Sequence, residues 1–414
     1  MSAPTTRKAP PVKRSLVTTS AACAAIAAVA LTAGCTAKSS SSDGAIAVTS
    51  TDSSCDLSRT EASTGTVDFA VTNNGDKVTE FYVYGNNNRV LGEVENIGPG
   101  LTGKLTVEVV DPGTYQTACK PGMVGDGIRK QLTVTGEKKE KQQAPASVQQ
   151  AKSTYLTYVR GQLDGLTAQT KSFTDEIIAG NLDAARAQFG LTRTFYERIE
   201  PVAESFPDLD PAIDMRWDDT ADGTEPFTGF HRLERFLWPP QQADVGEQPG
   251  DVAPADMTNA KATDTKQNID GVARQLNTDV NRLRTEVNKP DFTFETQSFV
   301  KGPQALVDEV AATKVGGEED RYSHTDLFDF AANIDGSETL IADMQPIISA
   351  KNPALMDKIT QQFAAIRTDI NAFRSGDGYA SYDTVPEDKR KALSDQIDAL
   401  SQSLSQVPGL VLQQ

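Results

Sequence analysis

Histidine is almost missing from this chain: 414 residues contain two, His231 and His324. A blue copper centre needs two histidines together with a cysteine. Residues 45–136 contain no histidine, so that centre is excluded there. The zincin pattern His-Glu-x-x-His, which sets two zinc-binding imidazoles one helical turn apart beside a general base, is also absent. His231 is followed by Arg232, Leu233, Glu234 and Arg235. Cysteine is scarce as well. Of four, Cys23 lies in an N-terminal apolar run and Cys35 ends it, which leaves Cys55 and Cys119. Basic residues are outnumbered, 40 against 57 acidic ones, for a net charge of −17. Such a field repels nucleic acid and attracts cations. A confident membrane span is missing too, because the run from Leu16 to Ala33 is alanine-rich and only weakly apolar.

What the N-terminus does contain is a targeting pattern. Arg7, Lys8, Lys13 and Arg14 precede the apolar run, and Leu31-Thr-Ala-Gly-Cys35 closes it. This resembles a bacterial lipobox, with leucine one place earlier than usual and Cys35 as the lipidated first residue. A serine-rich tether, 35–44, follows. The expectation is a signal peptide over 1–34 and an extracytoplasmic protein held by lipid on the outer face of the membrane. Outside the cytoplasm Cys55 and Cys119 are open to a disulfide or to metal binding.

Residues 45–136 read as a small antiparallel β-sandwich. Val67–Val71, Phe81–Tyr84, Leu105–Val110 and Leu132–Val134 are β-rich runs. Asn73-Asn74-Gly75-Asp76, Gly98-Pro99-Gly100 and Asp111-Pro112-Gly113 are turns between them. The run Pro112–Cys119, followed by Pro121, Gly122 and Met123, resembles the copper loop of cupredoxins. Without histidine, Cys55, Glu80, Cys119 and Met123 remain as a softer candidate metal set.

A Glu-, Lys- and Gln-rich linker over 137–147 leads into a helical region, 148–414. Caps and prolines predict helices over 148–179, 182–206, 227–238, 257–288, 296–314, 326–350, 353–375 and 386–406. Eight helices in two groups of four point to two antiparallel four-helix bundles. The acidic connection 207–226 lies near the candidate site and reads as a functional loop.

The organising stretch is Phe227–Trp238, bounded by Pro226 and Pro239. On a helix, His231 and Glu234 share a face, and apolar stripes on either side imply burial. Buried ionisable groups need partners. Glu197 and Glu200 have the same spacing in FYERIEP, and Glu319, Asp320 and His324 cluster with Glu318 and Asp326 in GEEDRYSHTDLFDF. Carboxylates with imidazole suit iron, manganese or zinc, and bundles build iron sites from such pairs. Arg216 and Arg321 are the alternative, as partners of the acids in an ion-pair network.

The segments FYERIEP, DPAIDMRWDD, FTGFHRLE, KVGGEEDRYSHTDLFDF and ANIDGSETL closely resemble the EfeO family, extracytoplasmic components of EfeUOB-type iron uptake systems. The helical part of that family belongs with the imelysin-like, peptidase-like proteins. The resemblance spans nearly all of the mature chain and implies a cupredoxin-like domain followed by two four-helix bundles. It implies iron delivery to an EfeU-type permease, with an EfeB-type haem peroxidase as companion. By motif it places metal binding on Glu197, Glu200, Asp214, His231 and Glu234, and further on Glu319, Asp320 and His324. In the small domain it places copper or iron on Cys55, Glu80 and Cys119, with Glu93 and Glu95 beyond them. A zinc metallopeptidase and a structural cell-envelope lipoprotein are the competing readings.

Overall fold

The computed structural model of the chain describes residues 44–412, apart from 86–89, 123–126, 140–143, 207, 221–225, 247, 249 and 313. The targeting segment, Cys35 and Met123 lie outside the described residues. Among the described residues no helix is long and apolar enough to cross a membrane. From Gly44 onward the chain forms one compact unit with two main apolar cores, one in a β-sandwich and one among helices.

The strands of the sandwich are β1 (Ile46–Ser50), β2 (Cys55–Leu57), β3 (Glu61–Ser63), β4 (Gly65–Asn73), β5 (Thr79–Tyr84), β6 (Val90–Ile97), β7 (Thr102–Val109), β8 (Gly113–Pro121) and β9 (Ile128–Thr135). Alternation drives their layering: in β4, Val67, Phe69 and Val71 are buried while Thr66 and Asp68 face solvent. One sheet runs β2-β1-β4-β7 and the other β3-β9-β8-β5-β6. The sandwich is mixed rather than purely antiparallel, since β1 pairs with β4 and β3 with β9 in parallel. Neither pair is joined by a hairpin, and only a hairpin forces antiparallel pairing.

The stretch expected to form a copper loop is strand β8, in which Cys119 pairs with Phe81 on one side and Ile128 on the other. Cys119 is joined to Cys55 by a disulfide, Cα to Cα 5.5 Å, that ties β8 of one sheet to β2 of the other. Both cysteines are fully buried. A disulfide sulfur is no longer the thiolate that binds metal, so within the soft set Cys55 and Cys119 are corrected from metal ligands to a structural cross-link. Glu80 is instead held by the Tyr82 hydroxyl, which donates to Oε2 at 3.0 Å.

The helices are α1 (Ala146–Ala179), α2 (Leu182–Glu197), α3 (Asp210–Asp214), α4 (Gly229–Leu237), α5 (Pro254–Thr263), α6 (Lys266–Val287), α7 (Thr296–Ala312), α8 (Asp326–Lys351), α9 (Pro353–Asn371), α10 (Glu387–Leu404) and α11 (Val407–Val411). In α1 the buried positions Val148, Ala151, Tyr155, Val159, Leu163 and Leu166 recur every three or four residues. Gly180, with φ 83°, ends that helix as a left-handed cap. One group packs α1, α2, α4 and α6 together, a second packs α7 to α10, and α8 lies against α1 and α2 to join them.

Two expected helices are broken. The one expected over 182–206 stops at Glu197 and continues as a 3₁₀ turn, Glu200–Ser205, because Pro201 has no N–H for the helical ladder. The one expected over 257–288 splits into α5 and α6. Between them Asp264 turns back to accept from Arg232 Nε at 2.9 Å and Arg235 Nε at 2.8 Å, and the Thr265 side chain caps α6.

Candidate metal centre

The centre is built around α4. Its first residue, Gly229, has φ 73°, and a Cβ there would lie 2.2 Å from the carbonyl oxygen of Ile213. Only glycine lets α3 approach α4 this closely, and that approach brings Asp214 to His231. His231 is 1% exposed. Its Nδ1 lies 3.1 Å from Glu234 Oε2, one helical turn along. The other oxygen of Glu234 accepts from Tyr322 N at 3.0 Å, Ser323 N at 2.8 Å and Ser323 Oγ at 2.9 Å. With Nδ1–H donated to a carboxylate, Nε2 is the free end of the ring. It points between Asp214 Oδ1 at 3.6 Å and Glu319 Oε1 at 3.7 Å, and it has no hydrogen-bond partner.

Carboxylates from α2, α3, α8 and the loop before α8 converge here. Glu197, Glu234, Asp320, Asp326 and Asp329 are fully buried, and Glu319 is nearly so. Two buried cations sit among them. Arg193 of α2 donates to Asp214, to Glu197 at 2.5 Å and Glu319 at 2.8 Å, and to Asp329 at 3.3 Å. Lys314 donates to both oxygens of Glu200, at 2.7 and 2.9 Å, and to Glu197 at 3.3 Å. Asn333 Nδ2 completes that corner by donating to Glu197 Oε2 at 2.9 Å and Glu200 Oε2 at 2.6 Å. Arg216, at the rim, reaches Glu319 Oε2 at 3.2 Å. One oxygen each of Asp320, Asp326 and Asp329 is buried without a hydrogen-bond partner.

The acids outnumber these cations, and the protonation states reflect it. Burial pushes Asp214 up to about 7, against the pull of Arg193. Burial and the nearby Glu234 push Asp320 up to about 6. Burial raises Asp326 and Asp329 well above the usual carboxylate range, and burial with Glu197 does the same to Glu200. Glu319 goes the other way: burial opposes its charge, but Lys314, His231, Arg216 and Arg193 hold it well below that range. Burial and Arg193 disfavour a charged His231, yet its contacts with Glu234 and Glu319 push it up to about 10. Protons therefore neutralise part of the acid charge in the chamber. Three sets have donor atoms close enough to share one metal ion: Asp214, His231 and Glu319; His231, Glu234 and Asp320; Glu197, Glu319 and Asp329.

Of the residues expected from sequence, Glu197, Asp214, His231, Glu234, Glu319 and Asp320 come together. Glu200 sits one layer out, against Lys314 and Asn333. His324 is not in the chamber. Its N–H bonds Asp320 O at 2.7 Å and its φ is 56°, a left-handed residue that closes the turn and carries the ring away. His324 lines a separate cavity of about 330 Å³ with Trp238, Pro239 and Tyr322. Arg321 turns away too, onto Asp218. Arg193, Lys314, Asp329 and Asn333 were not foreseen. Arg193 had a signal, since it stands four residues before Glu197 on one helix face, as had Asp329, one turn after Asp326.

A helical region enclosing a His-x-x-Glu chamber, behind a β-sandwich, defines the class. The chain belongs to the imelysin family, whose profile matches residues 151–407, and a cupredoxin-like domain profile matches 23–134. It is of the EfeO type: the iron uptake system component EfeO of Escherichia coli strain K12 is 36% identical over 371 residues, covering 88% of this chain and 91% of that protein. The protein of the same name from Shigella flexneri matches to the same extent. Among solved structures, auracyanin from Roseiflexus castenholzii aligns over 22% of this chain and 100% of its own, at 19% identity and a TM-score of 0.19. That score is too low to bear on the site.

Proposed function

We propose that this chain is the extracytoplasmic iron-binding component of an iron uptake system, with iron as its cargo in the chamber around His231. The observation that carries this reading is His231 Nε2, buried without a partner and facing Asp214 Oδ1 and Glu319 Oε1 at 3.6 and 3.7 Å. Hard carboxylate oxygens with one imidazole favour iron or manganese over copper(I). The iron uptake role named for the EfeO relatives supports iron among these. Asp214, His231 and Glu319 would hold the ion, Asp320 would lie within reach, and Glu234 would orient the imidazole. Delivery to an EfeU-type permease, with an EfeB-type haem peroxidase as companion, and a lipid anchor on Cys35 complete the proposal.

A peptidase reading finds no support in the site. Glu234, the acid nearest His231, has one oxygen committed to three donors and the other to the imidazole, so it is not free to act as a general base. The test is titration of the full chain with ferrous iron under nitrogen and, separately, with ferric citrate, followed by calorimetry and thermal melting. Binding should stabilise the fold by about 2.7 kcal/mol at a hundredfold excess over Kd, and His231→Ala should abolish that gain. If neither ion shifts the melt of the parent chain, the chamber is a structural ion-pair network and the proposal fails.

A further inference from the structure

The two oxygens that face His231 Nε2 are already engaged by another side chain. Asp214 Oδ1 accepts from Arg193 Nη1, and Glu319 Oε1 accepts from Arg193 Nη2 at 2.8 Å. The remaining donors of Arg193 reach Glu197 at 2.5 Å, Asp329 at 3.3 Å and Asp320 Oδ1 at 3.5 Å. A guanidinium keeps its charge under all accessible conditions. This one is fully buried and lies over the rings of Phe189 and Phe230, at 5.9 and 5.8 Å from their centroids. It cannot leave for water without moving α2 or the loop before α8.

We infer that Arg193 is a built-in competitor of the metal ion, an affinity-setting residue that occupies the ligand oxygens when no metal is present. The inference rests on the chamber being a metal site. A cluster of buried acids with no cation would repel itself apart or stay protonated. One planar cation with five donors keeps α2, α3, α8 and the loop before α8 in register. An arriving metal ion must draw Asp214 and Glu319 away from the guanidinium, or bind beside it against like-charge repulsion. Either way the affinity is lowered, which suits a protein that must release its cargo.

The other cations are placed differently. Lys314 meets Glu319 Oε1 only at 3.5 Å and takes Glu200 as its main partner. Arg216 contacts the opposite oxygen, Glu319 Oε2. Arg193 spans both oxygens that face the imidazole.

The experiment compares the full chain with Arg193→Met and Arg193→Lys, using ferrous iron alone under nitrogen as the probe. Arg193→Met should melt lower without iron, gain more from iron than the parent, and bind at least about tenfold tighter. Arg193→Lys keeps the charge but cannot span both oxygens, so its Kd should fall between the two. If Arg193 only builds the chamber wall, Arg193→Met will melt lower with and without iron and its Kd will be unchanged or weaker. That result overturns the inference. Should Arg193→Met not fold, Arg193→Lys decides alone: a Kd equal to or weaker than the parent's overturns it. If the parent binds no iron, the metal-site reading fails and this inference with it. Parent binding with untightened variants sinks only the competitor role.

Discussion

Glu234 holds His231 with one oxygen and the loop before α8 with the other: Oε2 lies 3.1 Å from Nδ1, and Oε1 accepts from Tyr322 and Ser323. One carboxylate thereby aims the imidazole and positions the segment that carries Glu319 and Asp320. Under the proposed iron reading its part would be to orient the imidazole and the segment carrying Glu319 and Asp320.

Glu234→Gln tests this role. The amide can still accept from Tyr322 and Ser323, but its NH₂ must then face Nδ1, which reverses the tautomer and places the proton on Nε2. Iron affinity should fall roughly 10- to 100-fold, the usual cost of losing a group that orients a ligand. Without metal the melting temperature should fall, because Glu234 is the first of the contacts that hold the charge on His231, but the chain should stay folded. Calorimetry and a melt of the same sample check both halves, and unchanged affinity would rule out the orienting role.

The metal-free protein should lose stability as pH rises from 5 to 8. Asp214 and Asp320, ordinarily near 3.8, are raised to about 7 and about 6, so the folded state holds their protons more tightly than the unfolded one. Their contribution is fully present below their ordinary value and is lost as pH rises through 6 to 7. His231, raised from 6.5 to about 10, adds stability that is complete below 6.5 and lost as pH climbs toward 10. Bound iron reverses the trend, because it needs these ligands deprotonated. Melts at pH 5 and pH 8, with and without iron, measure it. Asp214→Asn should flatten the metal-free dependence.

Gly229→Ala should move α3 away from α4. A methyl 2.2 Å from Ile213 O, on a backbone at φ 73°, costs about 1–3 kcal/mol in conformational strain alone. Displacing α3 carries Asp214 off His231, so iron binding should weaken along with stability. A variant with parent-like melting and affinity would contradict the close approach of the two helices.

Cys55 and Cys119 should give no thiol reaction in protein exported to an oxidising compartment, until a reductant is added to the unfolded chain. Replacing both with serine should cost roughly 4 kcal/mol, in line with the long loop the disulfide closes. Iron binding by the chamber should be unaffected, because the disulfide lies in the core of the sandwich. Thiol titration and denaturant unfolding decide the first two points. A drop in iron affinity in the double variant would mean the sandwich takes part in binding.

Local pattern determined a good deal by itself. The alternation around Val67–Val71 and the helical spacing of α1 specify a β region followed by helices. The three-residue spacing of His231 and Glu234, between apolar stripes, specifies a buried polar face, because helix geometry alone puts them together. The absence of histidine from residues 45–136 rules out a blue copper site within the sandwich. Tertiary structure decided what those spacings cannot reach. Cys55 and Cys119, 64 residues apart, were open to a disulfide or a metal until the two sheets brought their Cα atoms to bridging distance. His324 looked like a ligand by its acidic neighbours, but a left-handed turn at that residue sends it elsewhere. Arg193 and Lys314 are single basic residues whose spacing ties them to at most one acid each, Arg193 to Glu197 on its own helix. Their role exists only because α2, α3, α4, α8 and the loop before α8 enclose them in one buried chamber. There the electrostatics depend on every carboxylate within a few ångströms, a sum over the folded chain that no local window contains.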